Sequence, residues 1–295
     1  MLLQLLAGFT LACIIAFAAR KVRALNPSGA VAAAVLGTII FGLGGVGWAI
    51  LLLAFFVSSS GLSRLAKRRK RSLDEKAAKG SERDAGQVLA NGGIAGIFAL
   101  LHAFFPEAVW PWAGCAAALA AANADTWATE LGVLSKTAPV LITSGKPVEP
   151  GTSGGISWAG TLAALSGASL VALFGALFWQ GTTGIFLPQG TSPILGNLLG
   201  AGQPALTWGQ GLVVFAGLAL CGLAGSLIDS LLGATVQAVY HCPACQKETE
   251  RHPSHLCDTP TTWVRGWTWL DNDWVNAACT LSAAILAVLL VSGMG

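Results

Sequence analysis

"AANADTWATELGVLS", residues 121–135, closes an almost uninterrupted Ala-rich apolar run and sets Asp125 and Glu130 at its end. The rest of the chain avoids charge. Of 295 residues, 54% are hydrophobic and 11% charged, against roughly 25% charged in an average soluble domain. Segments 1–19, 24–63, 150–228 and 274–295 contain no Asp, Glu, Lys or Arg. A helix that crosses a bilayer needs about 20 mainly apolar residues. The chain therefore reads as all-α, a polytopic membrane helical bundle forming a single integral membrane domain over residues 1–295.

Working outward from that run, spans are expected near 2–19, 92–105, 112–134, 158–179, 210–236 and 275–293. The first lacks a basic leading region and a small-residue cleavage site, so it reads as a retained helix rather than a signal peptide. The 92–105 span is short and must be completed from its flanks or lie within protein. Residues 30–58 are long for one span and short for two, and "FGLGGVGW" at 41–48 breaks them in the middle. Basic residues on both sides favour a hairpin of two short or re-entrant helices. The total is about eight transmembrane or re-entrant segments, or seven if 30–58 crosses once.

With the hairpin, all 17 Lys and Arg fall on one side, in loops near 20–26, 59–91, 135–157 and 239–273. The opposite side receives the charge-free loop 180–208 and Glu107. The positive-inside rule then assigns the basic side to the cytoplasm and both termini to the outside. This is the expectation for a multi-pass protein of the cell inner (plasma) membrane whose active face is built by loops 59–91, 135–157 and 239–273. The net charge of +3 follows from that asymmetry. Nothing resembles a basic groove with interleaved aromatics, so no nucleic-acid partner is expected. Cys13, Cys115, Cys221 and Cys279 lie in apolar spans, and Cys242, Cys245 and Cys257 on the expected reducing side, so the cysteines do not suggest a disulfide framework.

Carboxylates within spans are costly and ask for partners. Asp125, Glu130 and Asp229 have no Lys or Arg in their own spans, so a cation site competes with simple interhelical hydrogen bonding. On a straight helix Asp125, Thr129 and Gly132 share a face, while Glu130 stands about 140° away from Asp125. The two can converge on one ion only where the helix breaks or ends, and Gly132 with the polar loop after it suggests an ending. "GSLIDSLLGATVQ", 225–237, repeats the theme with Asp229, Ser230 and Gly233. Small residues on both spans let helices pack backbone to backbone, so the two acidic ends can meet.

Three loops add further groups. "SKTAPVLITSGKPVEPGTSGGIS", 135–157, offers Lys146 and the run Gly151, Thr152, Ser153, Gly154 and Gly155, which are groups that cradle phosphate or simply make turns. In 59–91 a basic run suits anionic lipid or a substrate phosphate, and Arg83, Asp84, Gln87 and Asn91 share one helical face. "HCPACQKETERHPSHLCDTPTTWVRGWTWLDNDWVN", 241–276, holds Cys242, Cys245, Cys257 and one of His252 or His255, the ligand types of a structural Zn²⁺ site. Two free thiols near a turn is the other reading. Asp271, Asn272, Asp273 and Asn276 precede the last span with the hard oxygens that Mg²⁺ prefers.

Taken in order, "NPSGA" at 26, "RDAGQVLANGG" at 83, "ADTWATELGVLS" at 124, "ITSGKPVEPGTSGGIS" at 142, "GSLIDSLLGATVQ" at 225, "CPACQKETE" at 242 and "VRGWTWLDNDWVN" at 264 resemble the polytopic family named domain of unknown function ninety-two. That family includes the plant phytyl-phosphate kinase. It is distantly similar to the CTP-dependent phytol and dolichol kinases and to phosphatidate cytidylyltransferase. Gly86 stands where a bulky aromatic is expected, and "ERHPSHLCD" spaces its His and Cys differently.

The resemblance implies a Mg²⁺-dependent kinase that uses a nucleoside triphosphate, CTP, to convert an isoprenoid monophosphate such as phytyl phosphate to its diphosphate. Phosphoryl transfer needs charge neutralisation and alignment more than covalent chemistry. In that scheme Asp125, Asp229 and Asp273 hold Mg²⁺, with Glu130 and Asp271 supporting it or binding a second ion. Lys146 and the 151–155 loop hold the triphosphate, Arg83 with Lys67 or Arg68 holds the acceptor phosphate, and Asn91 and Asn276 assist in binding. Cys242, Cys245, His255 and Cys257 form the Zn²⁺ candidate. The expected partners are a prenyl phosphate lipid and a nucleotide, with a homodimer left open. The rival readings are a lipid-phosphate cytidylyltransferase and a transporter that binds its coupling cation at Asp125, Glu130 and Asp229.

Overall fold

The Ala-rich run decides the architecture because Ala is the strongest helix former and adds almost no girth. In the computed structural model, which describes residues 2–67, 82–132, 135, 137–179 and 206–293, it becomes the hub of a bundle. The helices are α1 (Leu2–Lys21), α2 (Pro27–Gly44), α3 (Val46–Lys67), α4 (Ala85–Phe104), α5 (Trp110–Gly132), α6 (Trp158–Leu177), α7 (Trp208–Thr235) and α8 (Asn272–Ser292). From Pro111 to Ala124 every residue of α5 is buried, because α3, α4, α6, α7 and α8 all pack against it.

Small residues permit that crowding. A Cβ added at Gly222 of α7 would stand 2.8 Å from the Ala120 Cβ, and one at Gly225 would stand 2.8 Å from both the Ala121 Cβ and the Cys279 carbonyl oxygen. Helices in lipid associate by such close packing, since hydrocarbon tails offer no hydrophobic incentive between them. Seven helices among the described residues are long and apolar enough to cross a membrane. The eighth, α5, meets protein rather than lipid and has no need of a lipid-facing surface.

The hairpin expected within 30–58 is present, but its arms are neither short nor re-entrant. α2 starts at Pro27 and α3 runs on to Lys67, so both reach spanning length by taking residues from outside 30–58. The chain turns on Gly45, whose φ of 84° suits a residue without a side chain and whose N–H donates to the Phe41 carbonyl at 2.8 Å. The short span at 92–105 is completed from its N-terminal flank. α4 begins at Ala85 under a capping box in which Asp84 accepts from the Gln87 N–H and Gln87 accepts from the Asp84 N–H.

In the expected topology, the loops that carry the described Lys and Arg share one, basic face of the bundle. Exposed Trp158 opens α6 at that face and exposed Trp208 opens α7 at the other, where amphipathic indoles mark a bilayer's two interfaces. The basic face also carries two small antiparallel sheets. β1 (Val140–Leu141) pairs with β2 (Gly155–Ile156). β3 (Val239–Cys242) lies between β4 (Lys247–Thr249) and β5 (Thr262–Arg265). Most of loop 180–208, Arg68 and the side chain of Lys67 lie outside the described residues.

Candidate functional site

Helix α5 ends at Gly132, where the sequence suggests an ending, but both carboxylates lie within the helix and turn to different neighbours. Asp125 and Asp229 of α7 lie within electrostatic range of each other and of Glu250, just beyond β4. Glu130 instead accepts a hydrogen bond from the Ser63 hydroxyl of α3 at 2.9 Å and acts on the guanidinium of Arg83.

The first cluster is therefore Asp125, Asp229 and Glu250. Glu250 accepts from the Ser153 hydroxyl at 2.6 Å and from Gln237 Nε2 at 2.8 Å. Through Ser153 the glycine-rich loop meets the carboxylates. Gly154 holds that junction: its φ is 82°, and a Cβ there would stand 2.4 Å from the Ala234 Cβ at the end of α7. Asp229 Oδ2 is shielded from solvent and has no hydrogen-bond partner among the described residues. A shielded carboxylate oxygen beside two further carboxylates is a hard-donor set that fits Mg²⁺.

Two further expected ligands stand at the start of α8. One Asp271 oxygen caps α8, accepting from the N–H groups of Asp273 and Trp274 at 3.0 and 3.2 Å. Asp273 sits in the first turn of α8 with Oδ1 shielded from solvent. Asn276 is buried one turn further along. In the phosphate-loop candidate, the Thr152 and Gly155 N–H groups donate to the carbonyls of Glu149 and Thr152 at 3.1 and 2.9 Å, which leaves fewer donors for an anion. Gly151 turns with φ 80°. Lys146 is exposed, and among the described residues no hydrogen bond or ion pair links its ammonium to the carboxylates.

Arg83 is positioned by its backbone. Its N–H donates to the Ala24 carbonyl, and its carbonyl accepts from the Asn26 N–H, both at 3.0 Å. Asn26 in turn caps α2 ahead of Pro27. The Arg83 guanidinium stands 5.7 Å over the Phe55 ring, a cation–π distance. Burial pulls it below its ordinary pKa, and the Glu130 carboxylate opposes that shift. Arg83, Gln87 and Asn91 form the polar end of an otherwise apolar cavity of about 290 Å³ between α1, α2, α3 and α4, lined by residues such as Leu25, Leu36 and Phe55.

Gly29 is what lets Arg83 sit there, since a Cβ at residue 29 would fall 2.1 Å from the Arg83 carbonyl oxygen. Backbone cannot swing aside as a side chain does, so Gly29→Ala is expected to push Arg83 off the cavity. The cost should be about 1–3 kcal/mol, the usual range for overpacking, read as a lower unfolding midpoint in detergent.

Cys242, Cys245, His255 and Cys257 come together with their ligand atoms within 4.8 Å of one another. Of the two candidate histidines, His252 stacks on Tyr240 at 4.6 Å instead. Hydrogen bonding with Thr259 and His255 brings the Cys257 thiol down to about 6, and its bond to Cys257 pushes the Cys245 thiol up to about 11.

Sequence reasoning passes over Glu250, Gln237 and Ser63, because each reaches the site through a distant contact rather than a local pattern. Glu250 lies in the charged run "KETER", which reads as an ordinary solvated turn.

Among the described residues, eight helices, one of them an Ala-rich hub, with polar loops between them, define a polytopic integral membrane protein. The chain belongs to the family described as integral membrane protein DUF92, which it matches over residues 10–284. It is 34% identical over 297 residues to Protein PGR of Arabidopsis thaliana, covering 96% of this chain and 94% of that one. It is 33% identical over 243 residues to an uncharacterized membrane protein of Methanocaldococcus jannaschii, covering 82% and 96%. An uncharacterized membrane protein of Synechocystis is 27% identical over 270 residues, covering 90% and 81%. No solved structure matches the chain.

Proposed function

We propose that the protein transfers the γ-phosphoryl group of a nucleoside triphosphate, CTP, to an isoprenoid monophosphate at the cytoplasmic face of the plasma membrane. The observation that carries this reading is the pairing, on one face of the bundle, of a carboxylate cluster with an apolar cavity that ends in a cation. A prenyl tail fits between α1, α2, α3 and α4, and Arg83 meets its phosphate, assisted by Gln87 and Asn91. A guanidinium suits this task because its fixed fork matches phosphate oxygens and it stays charged.

Asp125, Asp229 and Glu250 would hold Mg²⁺, which supplies charge neutralisation to the phosphate oxygens when bound. Ser153, held by Glu250, brings the glycine-rich loop to the same place, and that loop faces the triphosphate. Asp125 and Glu130 are offset by about 7.5 Å along α5, and the helix stops two residues beyond Glu130, at Gly132. Acceptor and donor phosphates meet across that short end. A terminal oxygen of the acceptor phosphate attacks Pγ, the bond from Pγ to the β–γ bridging oxygen breaks, and CDP leaves. The attacking oxygen is already ionised at neutral pH, since the second pKa of a phosphate monoester is about 6. The chain therefore need not supply a base.

The test is a product assay on purified protein in detergent, with Mg²⁺, γ-labelled CTP or ATP, and phytyl, geranylgeranyl or undecaprenyl monophosphate. Label is expected in the lipid diphosphate with CTP. Label entering lipid only from α-labelled CTP, with pyrophosphate released, would replace the reading with cytidylyl transfer. No label from any donor would overturn it altogether.

A further inference from the structure

The hairpin between α7 and α8 is poorly equipped to hold its own shape. Its sheet has strands of three or four residues, and most side chains from 243 to 248 and from 252 to 264 are exposed or half-buried. Units this small usually need a covalent or metal staple. Two tight turns face each other at its tip. In one, Cys242 ends β3 and the Gln246 N–H returns to the Cys242 carbonyl at 2.9 Å, with Gln246 at φ 53°. In the other, the His255 N–H donates to the Thr259 carbonyl and the Asp258 N–H to the His255 carbonyl, each at 3.0 Å.

Four soft or borderline donors meet between these turns. The Cys245 and Cys257 sulfurs are 3.5 Å apart, as are those of Cys242 and Cys257, and His255 Nδ1 stands 3.4 Å from both Cys245 Sγ and Cys257 Sγ. With Zn–S near 2.3 Å, the edge of a tetrahedral site is about 3.8 Å, within a few tenths of these separations. A disulfide would require the sulfurs at about 2.05 Å, and all seven cysteines are free. Three thiols and an imidazole at tetrahedral spacing are the donor set of a closed structural zinc site rather than a catalytic one, because no position is left for water.

We propose that Cys242, Cys245, His255 and Cys257 bind one Zn²⁺, and that this ion fixes the hairpin that delivers Glu250 to the carboxylate cluster. The connection is short. Gln237 lies just before β3 and Glu250 just after β4, and the two side chains bond each other at 2.8 Å at the base of the strand pair that the ion clamps at its tip. The consequence for Glu250 rests on the reading of that residue under the proposed function. Metal binding itself does not.

The experiment is metal analysis of the full-length protein, purified in detergent under reducing conditions from zinc-supplemented cells and passed through gel filtration with a mild chelator. One zinc per chain is expected. After exchange, Co²⁺ should show the intense d–d bands and thiolate charge transfer of a tetrahedral sulfur-rich site. Cys245→Ser and Cys257→Ser should each lose the metal, His255→Cys should retain it, and Cys13→Ser, remote from the hairpin, should leave it unchanged. In the zinc-free variants, hydrogen exchange should quicken across 238–265 while α5 stays protected. A wild-type chain that holds no zinc and gives no tetrahedral Co²⁺ spectrum would overturn the proposal, as would full zinc content in Cys245→Ser. A zinc-loaded chain without transferase activity would leave this site standing and remove the kinase reading alone.

Discussion

Asp229→Asn is expected to lower label transfer to the lipid on the order of 10²–10³-fold, the scale of losing one preorganised electrostatic group at a reacting centre. The unfolding midpoint measured without Mg²⁺ should hold or rise. The substitution keeps the shape of the side chain and removes one carboxyl from a group of three. Asp229 Oδ2 has no hydrogen-bond partner among the described residues, so Asn strands nothing at that oxygen and relieves repulsion from Asp125 and Glu250. A residue whose role was structural would show the reverse pattern, with stability lost and activity falling only in step with it. Asp125→Asn and Glu250→Gln should behave alike, although Glu250→Gln also disturbs the bonds to Ser153 and Gln237.

Asn123→Leu should produce the largest loss of stability. Asn123 is fully buried in α5. Its Oδ1 accepts from the hydroxyls of Ser58 and Ser59 at 2.9 and 2.8 Å, and its Nδ2 donates to the Gly167 carbonyl of α6 at 2.8 Å. One amide thus ties three helices together. Interhelical hydrogen bonds in membranes average only about 0.6 kcal/mol each, which sets a floor near 2 kcal/mol for three. Each polar group left stranded in a dry interior costs about 1–3 kcal/mol. The Ser58 hydroxyl retains the Phe55 carbonyl as a second acceptor, which limits the total to about 2–5 kcal/mol. Unfolding in mixed detergent micelles reads this directly, and a loss below about 1 kcal/mol would mean that the serines and the Gly167 carbonyl find other partners.

Much of the bundle is legible in the sequence because a bilayer imposes length and polarity one segment at a time. The hairpin at Gly45 and the completion of the short 92–105 span from its N-terminal flank follow from such local rules. The failures are nonlocal. α5 ends at Gly132, where the sequence suggests an ending, but both carboxylates lie inside the helix and turn to different neighbours. Glu130 then meets Arg83, which lies outside any span and is delivered by the pairing of residues 24–26 with 83. Glu250 joins Asp125 and Asp229 from a hairpin that looks, residue by residue, like a solvated loop. Asp271 resembles a ligand by composition, yet the start of α8 employs one of its oxygens as a cap.

The burial of α5 on every side also bears on how the protein is made. The helices that face lipid can partition into the bilayer as they leave the ribosome, each on its own hydrophobicity. α5 has less of that drive, and it carries Asn123, Asp125 and Glu130, with a central Asp alone disfavoured by about 2.5–3.5 kcal/mol on the insertion scale. Its stable insertion therefore depends on helices already present and on others yet to be synthesised. α3 and α4 precede it and can shelter one side, while α6, α7 and α8, which cover the rest, emerge later. Truncated nascent chains ending before α6 should hold α5 loosely, leaving it the segment most open to quality-control proteases until the C-terminal helices close around it.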